Sequence, residues 1–229
     1  MTTISVIIPA LNEAGNIGNL VSEVRSTIEA NVIVVDNDSS DGTAQEALAA
    51  GADVVSESRR GFGYACAAGV VRAQDADILV FLDGDHSFLP AEMPTLVAPI
   101  LAGEADMVLG SRWLGHIAPG SMLPHQRFGN WLVARSMKYL YGLPLTDLGP
   151  YRAVRRNLVE TLSMREMTYG WPTEMLVKAA NRGVRIMEVP VSYLSRRAGR
   201  SKVSGTLRGS LLAAWFILGV TLRYAIFRR

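Results

Sequence analysis

Between residues 4 and 109 the sequence alternates between short, continuous apolar runs and helix-like stretches, and this limits the fold more than any other feature. The runs are Ile4 to Ile8, Asn31 to Val35, Asp53 to Val55, Asp77 to Leu82 and Asp106 to Leu109. Between them lie amphipathic patterns over Ile17 to Glu29, Thr43 to Ala50, Tyr64 to Arg72 and Pro90 to Leu101. Strands that are apolar along their whole length are those covered by helices on both faces, the situation of a parallel sheet. Successive units of this kind predict an α/β chain with a doubly wound, mostly parallel sheet. With 229 residues, 49% of them hydrophobic, there is material for one sizeable core.

From Ser111 the pattern changes. A Gly- and Pro-containing loop, Gly115 to Pro124, precedes a helix predicted from about Arg127 to Tyr141. A turn over Leu143 to Pro150 leads to a strand-like piece at Tyr151 to Val154. Pro172 to Asn181 reads as a helix with proline in its first turn, and Val184 to Val191 as a strand or strand pair. A basic loop, Ser195 to Gly205, precedes an apolar helix, so the expected division is a main domain over 1–205 and a C-terminal amphipathic helix over 206–229. The net charge of +2 hides a contrast: residues 1–106 hold 4 Lys/Arg against 16 Asp/Glu, residues 107–229 hold 19 against 5. Such a division suits a site that meets a cation on one side and phosphates on the other, or a basic face turned to anionic lipid. Cys66 is the sole cysteine, which excludes an intramolecular disulfide and fits a reducing compartment. The N-terminus enters its first strand without the basic and long apolar regions of a secretory signal.

In open parallel sheets, ligands sit at the carboxyl ends of strands, and three strand ends here carry suitable chemistry. The first continues Pro9-Ala10-Leu11-Asn12-Glu13, the second Asp36-Asn37-Asp38-Ser39-Ser40-Asp41-Gly42-Thr43, the fourth Asp83-Gly84-Asp85. Two carboxylates one residue apart repel each other unless a cation sits between them. Mg²⁺ or Mn²⁺ suits that place, since magnesium binds through one or two carboxylates plus substrate phosphates. Gly84 permits close backbone approach. Asp36 can accept hydrogen bonds from a nucleotide base or ribose. A dinucleotide-binding dehydrogenase would need G-x-G-x-x-G after the first strand, and that motif is missing. Ser39, Ser40 and Asp41 also suit a simple cap on the helix that follows.

These residues resemble family 2 glycosyltransferases. The resemblance rests on Val6-Ile7-Ile8-Pro9 through Glu13, the Asp36 to Thr43 loop, Arg60-Gly61-Phe62-Gly63 with Ala65 and Gly69, and Asp83-Gly84-Asp85. Gly110-Ser111-Arg112, Arg127, Asp147 to Arg152, Glu188-Val189-Pro190-Val191 and Arg196 to Lys202 are similar to the branch that glycosylates dolichyl or polyprenyl phosphate. The match runs from about Ile4 to Lys202. It implies a GT-A fold and inverting transfer of a hexose from a nucleotide diphosphate sugar. It further implies that Pro9, Leu11, Glu13, Asp36 and Arg60 hold the nucleotide, and that Asp83 and Asp85 hold a Mg²⁺ or Mn²⁺ ion on the diphosphate. Arg112 and Arg127 would meet the acceptor phosphate, Asp147 and Glu174 would lie near the acceptor, and Arg196 and Lys202 would close over the donor phosphates. Three departures from the family pattern stand out: Asn37-Asp38 in place of Asp-Gly, Phe62 where Lys is common, and Ser87 where the lipid-phosphate branch often has Gln. His86, beside the acidic pair, reads as a surface or hydrogen-bonded residue.

A polyprenyl phosphate acceptor is already anionic and needs no base, whereas a sugar or small-molecule hydroxyl needs a carboxylate to take its proton. For the hydroxyl case Asp147 and Glu174 are the candidates, and a turn residue and a first-turn helix carboxylate are their structural alternatives. The apolar run Leu211 to Leu222, flanked by Arg208, Arg223, Arg228 and Arg229, is shorter than the roughly 20 residues of a span. It predicts a helix lying in the interface of an anionic membrane; packing on the domain's own core or on a second subunit are the alternatives. The expected location is cytoplasmic, peripheral on the inner face of the membrane. A regulator that binds nucleotide sugar without catalysis is disfavoured by the complete acidic pair. Nucleic-acid binding is disfavoured because the basic residues show no aromatic stacking platform.

Overall fold

The apolar runs become the strands of one sheet because each is covered on both faces. A computed structural model of the chain describes residues 1–197 and 207–226, the side chains of 207–214 excepted. The first half runs β1 (Ile4–Ala10), α1 (Ile17–Thr27), β2 (Asn31–Asp36), α2 (Thr43–Ala49), β3 (Asp53–Ser56), α3 (Phe62–Arg72), β4 (Ile78–Phe81), α4 (Met93–Leu101) and β5 (Met107–Ser111). The second half runs α5 (Pro124–Tyr141), β6 (Arg152–Arg155), α6 (Arg156–Leu162), α7 (Trp171–Asn181), β7 (Ile186–Pro190) and α8 (Leu207–Ile226). The seven strands are ordered β3-β2-β1-β4-β6-β5-β7.

All neighbours are parallel except those of β6, which runs antiparallel to β4 and β5 and joins them. Successive side chains of a strand leave opposite faces, so Val6 and Ile8 enter one core while Ile7 enters the other. The first core is closed by α1, α2 and α4, the second by α3 and α5 to α8.

Local differences from the expected elements have physical causes. The fifth helix starts at Pro124 rather than Arg127, because proline suits the first helical position. It ends at Gly142 in the left-handed conformation, φ 70°. Val184 to Val191 gives the single strand β7, and α6 is a seven-residue helix that the sequence pattern did not signal. The C-terminal helix lays one face on the domain: Val220 and Thr221 are buried, and Tyr141 donates a 2.5 Å hydrogen bond to the Thr221 carbonyl. Trp215, Leu222 and Ile226 remain exposed. Among the described residues, no helix is long and apolar enough to cross a membrane.

Candidate active site

The carboxyl ends of β1, β2 and β4 come together because their strands are adjacent. At the end of β1 the chain turns through Asn12 at φ 51°. Asn12 N–H donates to Ser39 Oγ (2.9 Å), and Ser40 N–H donates to Asn12 Oδ1 (2.8 Å). The loop that carries Leu11 and Glu13 after β1 and the loop that follows Asp36 at the end of β2 are therefore one unit, with Pro9 in β1 beneath them. Asp36 Oδ1 accepts Ser39 N–H at 3.2 Å. Asn37, where the family pattern has Asp, donates to the Glu57 and Arg59 carbonyls at 2.9 and 2.8 Å and accepts Gly61 N–H at 2.8 Å. An aspartate could not make the two donations. Arg60 pairs with Asp38 at 2.9 Å on the exposed rim of this loop. Asp41 Oδ1 accepts Thr43 N–H at 3.0 Å from the residue before the cap, and the cap position of α2 itself falls to Gly42 rather than to Ser39, Ser40 or Asp41.

Asp83 and Asp85 follow β4. A Cβ on Gly84 would come within 3.1 Å of the Pro9 carbonyl, so glycine lets the β1 and β4 loops meet. Burial and then the neighbouring Asp85 charge push the Asp83 carboxyl up to about 7, against the pull of Arg112 and Arg152. A pair so placed holds a proton or wants a cation. Arg196 meets part of that demand: its Nη2 lies 2.9 Å from Glu13 Oε1 and 3.2 Å from Asp85 Oδ2. Asp85 Oδ1 also accepts Ser87 N–H at 3.0 Å. Among the described residues no group of three or more His, Cys, Asp or Glu side chains could hold a metal. The two aspartates nevertheless fit Mg²⁺ or Mn²⁺, ions that take remaining ligands from phosphate and water. The buried His86 ring meets the partly exposed Glu23 on α1, Nε2 to Oε2 2.8 Å.

The opposite wall is basic. Arg112, just past β5, makes a bidentate pair with Asp147: Nε to Oδ2 and Nη2 to Oδ1, both 2.7 Å, with Arg112 N–H also donating to Oδ2 at 2.9 Å. Asp147 is fully buried, so these contacts are strong. Burial works against the Arg112 charge, but Asp147 outweighs it and holds its pKa above the ordinary value. The turn carrying Asp147 is itself clamped: Glu188 on β7 accepts the Thr146 N–H and the Asp147 N–H, the latter at 2.9 Å. Arg127 stacks over Trp113, the residue after Arg112, at 5.7 Å.

Glu174 has a different setting from the one the family resemblance implies. It is fully buried on α7, and its carboxylate accepts Arg165 N–H, Glu166 N–H, Lys178 Nζ and Tyr224 OH within 2.5 to 2.8 Å. Four donors saturate a carboxylate. Burial raises its pKa, yet Lys178 and Tyr224 hold it below the ordinary value. It fastens α8 to the domain and has no lone pair left for a proton from substrate. Lys202 lies outside the described residues.

Two contributors had no role assigned from the sequence, although Arg152 closes the Asp147 to Arg152 run. Arg152 on β6 lies opposite both Phe81 and Leu109. Its guanidinium is buried and donates to the Leu148, Gly149 and Pro172 carbonyls at 2.7 to 2.8 Å; burial pushes it down to about 10. A charge between two acidic loops was visible only once the register was known. Tyr193, after β7, packs against Phe88 (5.1 Å) and under Arg112 (5.2 Å), anchoring the start of the basic loop.

Comparisons with known proteins bear on the family and the fold. The sequence model of Glycosyl transferase family 2 matches residues 5–163. An uncharacterized glycosyltransferase of Mycobacterium tuberculosis is 37% identical over 211 residues, covering 92% of this chain and 94% of that protein. The undecaprenyl-phosphate mannosyltransferase of Micrococcus luteus is 31% identical over 225 residues, 89% of this chain and 88% of its own. Glucosyl-3-phosphoglycerate synthase from Mycobacterium tuberculosis, crystallised with Mn²⁺, uridine-diphosphate and phosphoglyceric acid, superposes with a TM-score of 0.76 at 26% identity, covering 98% of this chain and 78% of that one. A further crystal structure of that enzyme holds Mg²⁺ with uridine-diphosphate. The sheet and its helices are thus those of GT-A-like enzymes, and the chain belongs to glycosyl transferase family 2.

Proposed function

We propose that this glycosyltransferase moves a hexose, with inversion, from a nucleotide diphosphate sugar to a polyprenyl (dolichyl-type) phosphate. Pro9, Leu11, Glu13, Asp36 and Arg60 line the nucleoside side, and Asp83 and Asp85 would hold Mg²⁺ or Mn²⁺. When bound, that ion neutralises charge on the departing diphosphate. Arg196 moves from the acidic pair to the donor phosphates, and Lys202 assists from the same loop. Arg112 and Arg127 orient the acceptor phosphate.

The observation that carries this reading is the state of the two candidate bases. Both Asp147 oxygens are engaged by Arg112, and Glu174 is saturated by four donors. A site whose nearby carboxylates are spent on positioning suits an acceptor oxygen that is already anionic. A groove of about 410 Å³ is lined by Trp113, Trp131, Pro144 and Leu145, with Arg135 and Lys138 beside them and Thr146 next to Asp147, and it suits an isoprenoid chain with a phosphate head. The names of relatives such as the undecaprenyl-phosphate mannosyltransferase support the same acceptor class. The enzyme would then work from the cytoplasmic side as a peripheral protein, with residues 206–229 contributing to membrane attachment.

The competing reading, transfer to a small-molecule hydroxyl, is favoured by the likeness to glucosyl-3-phosphoglycerate synthase. Radiolabelled UDP- and GDP-hexoses with short polyprenyl phosphates or sugar acceptors, plus Mg²⁺ or Mn²⁺, separate the two. Label passing into organic solvent, and lost in Asp85→Ala, is the expected result. Label confined to the aqueous phase would overturn the lipid acceptor.

A further inference from the structure

The outward face of α5 has the wrong composition for a helix facing water. Its inward stripe is ordinary: Asn130, Val133, Ala134 and Met137 are buried at helical spacing. The opposite stripe carries Phe128, Trp131 and Tyr139, which are 63%, 51% and 68% exposed, preceded by exposed Leu123. Water-facing stripes normally carry charged and polar groups of both signs. Here the only charges among the aromatics are cationic. Arg135 lies over Trp131 and Tyr139 at 5.7 and 5.3 Å, and Arg127 lies over Trp113, itself 41% exposed.

Charge continues the pattern beyond the helix. No Asp or Glu occurs between Asp106 and Asp147, and none follows Glu188. The helix that lies against α5, α8, repeats the theme with exposed Trp215, Leu222 and Ile226 and with Arg223. Two adjoining helices therefore present aromatic and aliphatic side chains interleaved with Arg and Lys, without a carboxylate in either sequence.

We infer that the outer face of α5, together with Trp113 and the exposed edge of α8, docks on an anionic lipid bilayer. Aromatic rings settle at the headgroup level, aliphatic tips enter the acyl boundary, and the guanidinium groups meet lipid phosphates. Aromatic groups interleaved with arginine also suit single-stranded nucleic acid, a platform that the sequence reading did not see. The exposed aliphatic residues Leu123, Leu222 and Ile226 offer a base nothing to stack on and favour lipid. The inference rests on the lipid-acceptor reading only for its purpose: Trp113, Trp131 and Arg135 of this face line the groove that includes Thr146, so docking would bring the groove to the membrane.

The test is flotation of the full chain with vesicles of phosphatidylcholine containing 30% phosphatidylglycerol, free of polyprenyl phosphate and of donor. Wild type should float at low salt and less so as salt rises, through screening of the arginines. Phe128→Ser/Tyr139→Ser should lower partitioning by about tenfold or more with unchanged circular dichroism, and so should Trp215→Ser/Leu222→Ser. Wild type that stays in solution, or an α5 variant that floats equally well, would overturn the proposal. So would light scattering that shows a dimer broken by the α5 variant while flotation is unchanged, or oligonucleotide binding lost without loss of flotation. Because no acceptor is present, failure to use polyprenyl phosphate in the transfer assay leaves this result intact, and the converse also holds.

Discussion

Replacing Asp147 by Asn tests whether this carboxylate orients Arg112 or abstracts a proton. The two side chains differ by one charge and almost nothing in volume, so packing is preserved. In the native site Asp147 is fully enclosed, Arg112 has only 14% of its side chain exposed, and three hydrogen bonds join them. An Asn can accept on one atom only and turns an amide N–H toward the guanidinium. Breaking a buried pair while leaving one charge in place costs about 3–5 kcal/mol. For a protein of this length that corresponds to a fall in Tm of about 6–20 °C, using roughly 2–4 °C per kcal/mol. Differential scanning fluorimetry reads it, with urea titration as a check. Arg112→Met/Asp147→Leu should recover part of the loss, since an apolar pair removes both charges. Recovery stays incomplete because Arg112 N–H loses its acceptor, worth about 1–3 kcal/mol. In turnover, the Asn variant should raise KM for the acceptor and keep the shape of the pH profile. A Tm within about 2 °C of wild type, together with loss of the acid limb of the rate profile, would refute the orienting role.

Two further perturbations probe the acidic pair and the C-terminal helix. The Asp83 carboxyl sits at about 7 in the folded chain, against about 3.9 when unfolded. Between those values the folded state binds the extra proton, so the stability linked to this group is complete below about pH 4 and is lost as pH rises through about 7. With chelator, Tm should fall over that window; saturating Mn²⁺ should offset the fall, and Asp83→Asn should abolish both effects. A Tm profile insensitive to pH and to Mn²⁺ would refute the electrostatic account of the pair. Tyr224→Phe removes one donor from buried Glu174 and should cost roughly 1–2 kcal/mol, read by urea denaturation. An unchanged midpoint would mean that the Tyr224–Glu174 hydrogen bond contributes nothing to holding α8.

The first half of the fold was legible because β1, β2, β4 and β5 are buried on both faces and advertise it as continuous apolar runs. The second half was less so. Arg152–Arg155 begins and ends in charge, and its place between β4 and β5 is decided by pairing with residues more than forty positions away. The helix α6 spans only two turns and follows β6 without a break, so no periodicity could build up. At the site, Asp83 and Asp85 stood out by position after a strand, and Arg112 by the resemblance of Gly110-Ser111-Arg112 to the family pattern. The saturation of Glu174 and the clamp from Glu188 did not, since each depends on contacts formed only when distant elements close. Tyr224, which completes the Glu174 set, lies fifty residues beyond it.

The reversed strand β6 also orders events along the growing chain. Until residue 155 has been made, β4 and β5 each keep an unsatisfied edge, one on either side of a gap of a single strand's width. The N-terminal part of the sheet, β3-β2-β1-β4, can assemble first, but β5 joins it only through β6. An open edge on β4 is a template for pairing with another chain during that interval. Lesions in the Gly149 turn that launches β6 should therefore show up as poor yield from the ribosome more than as instability of the finished molecule.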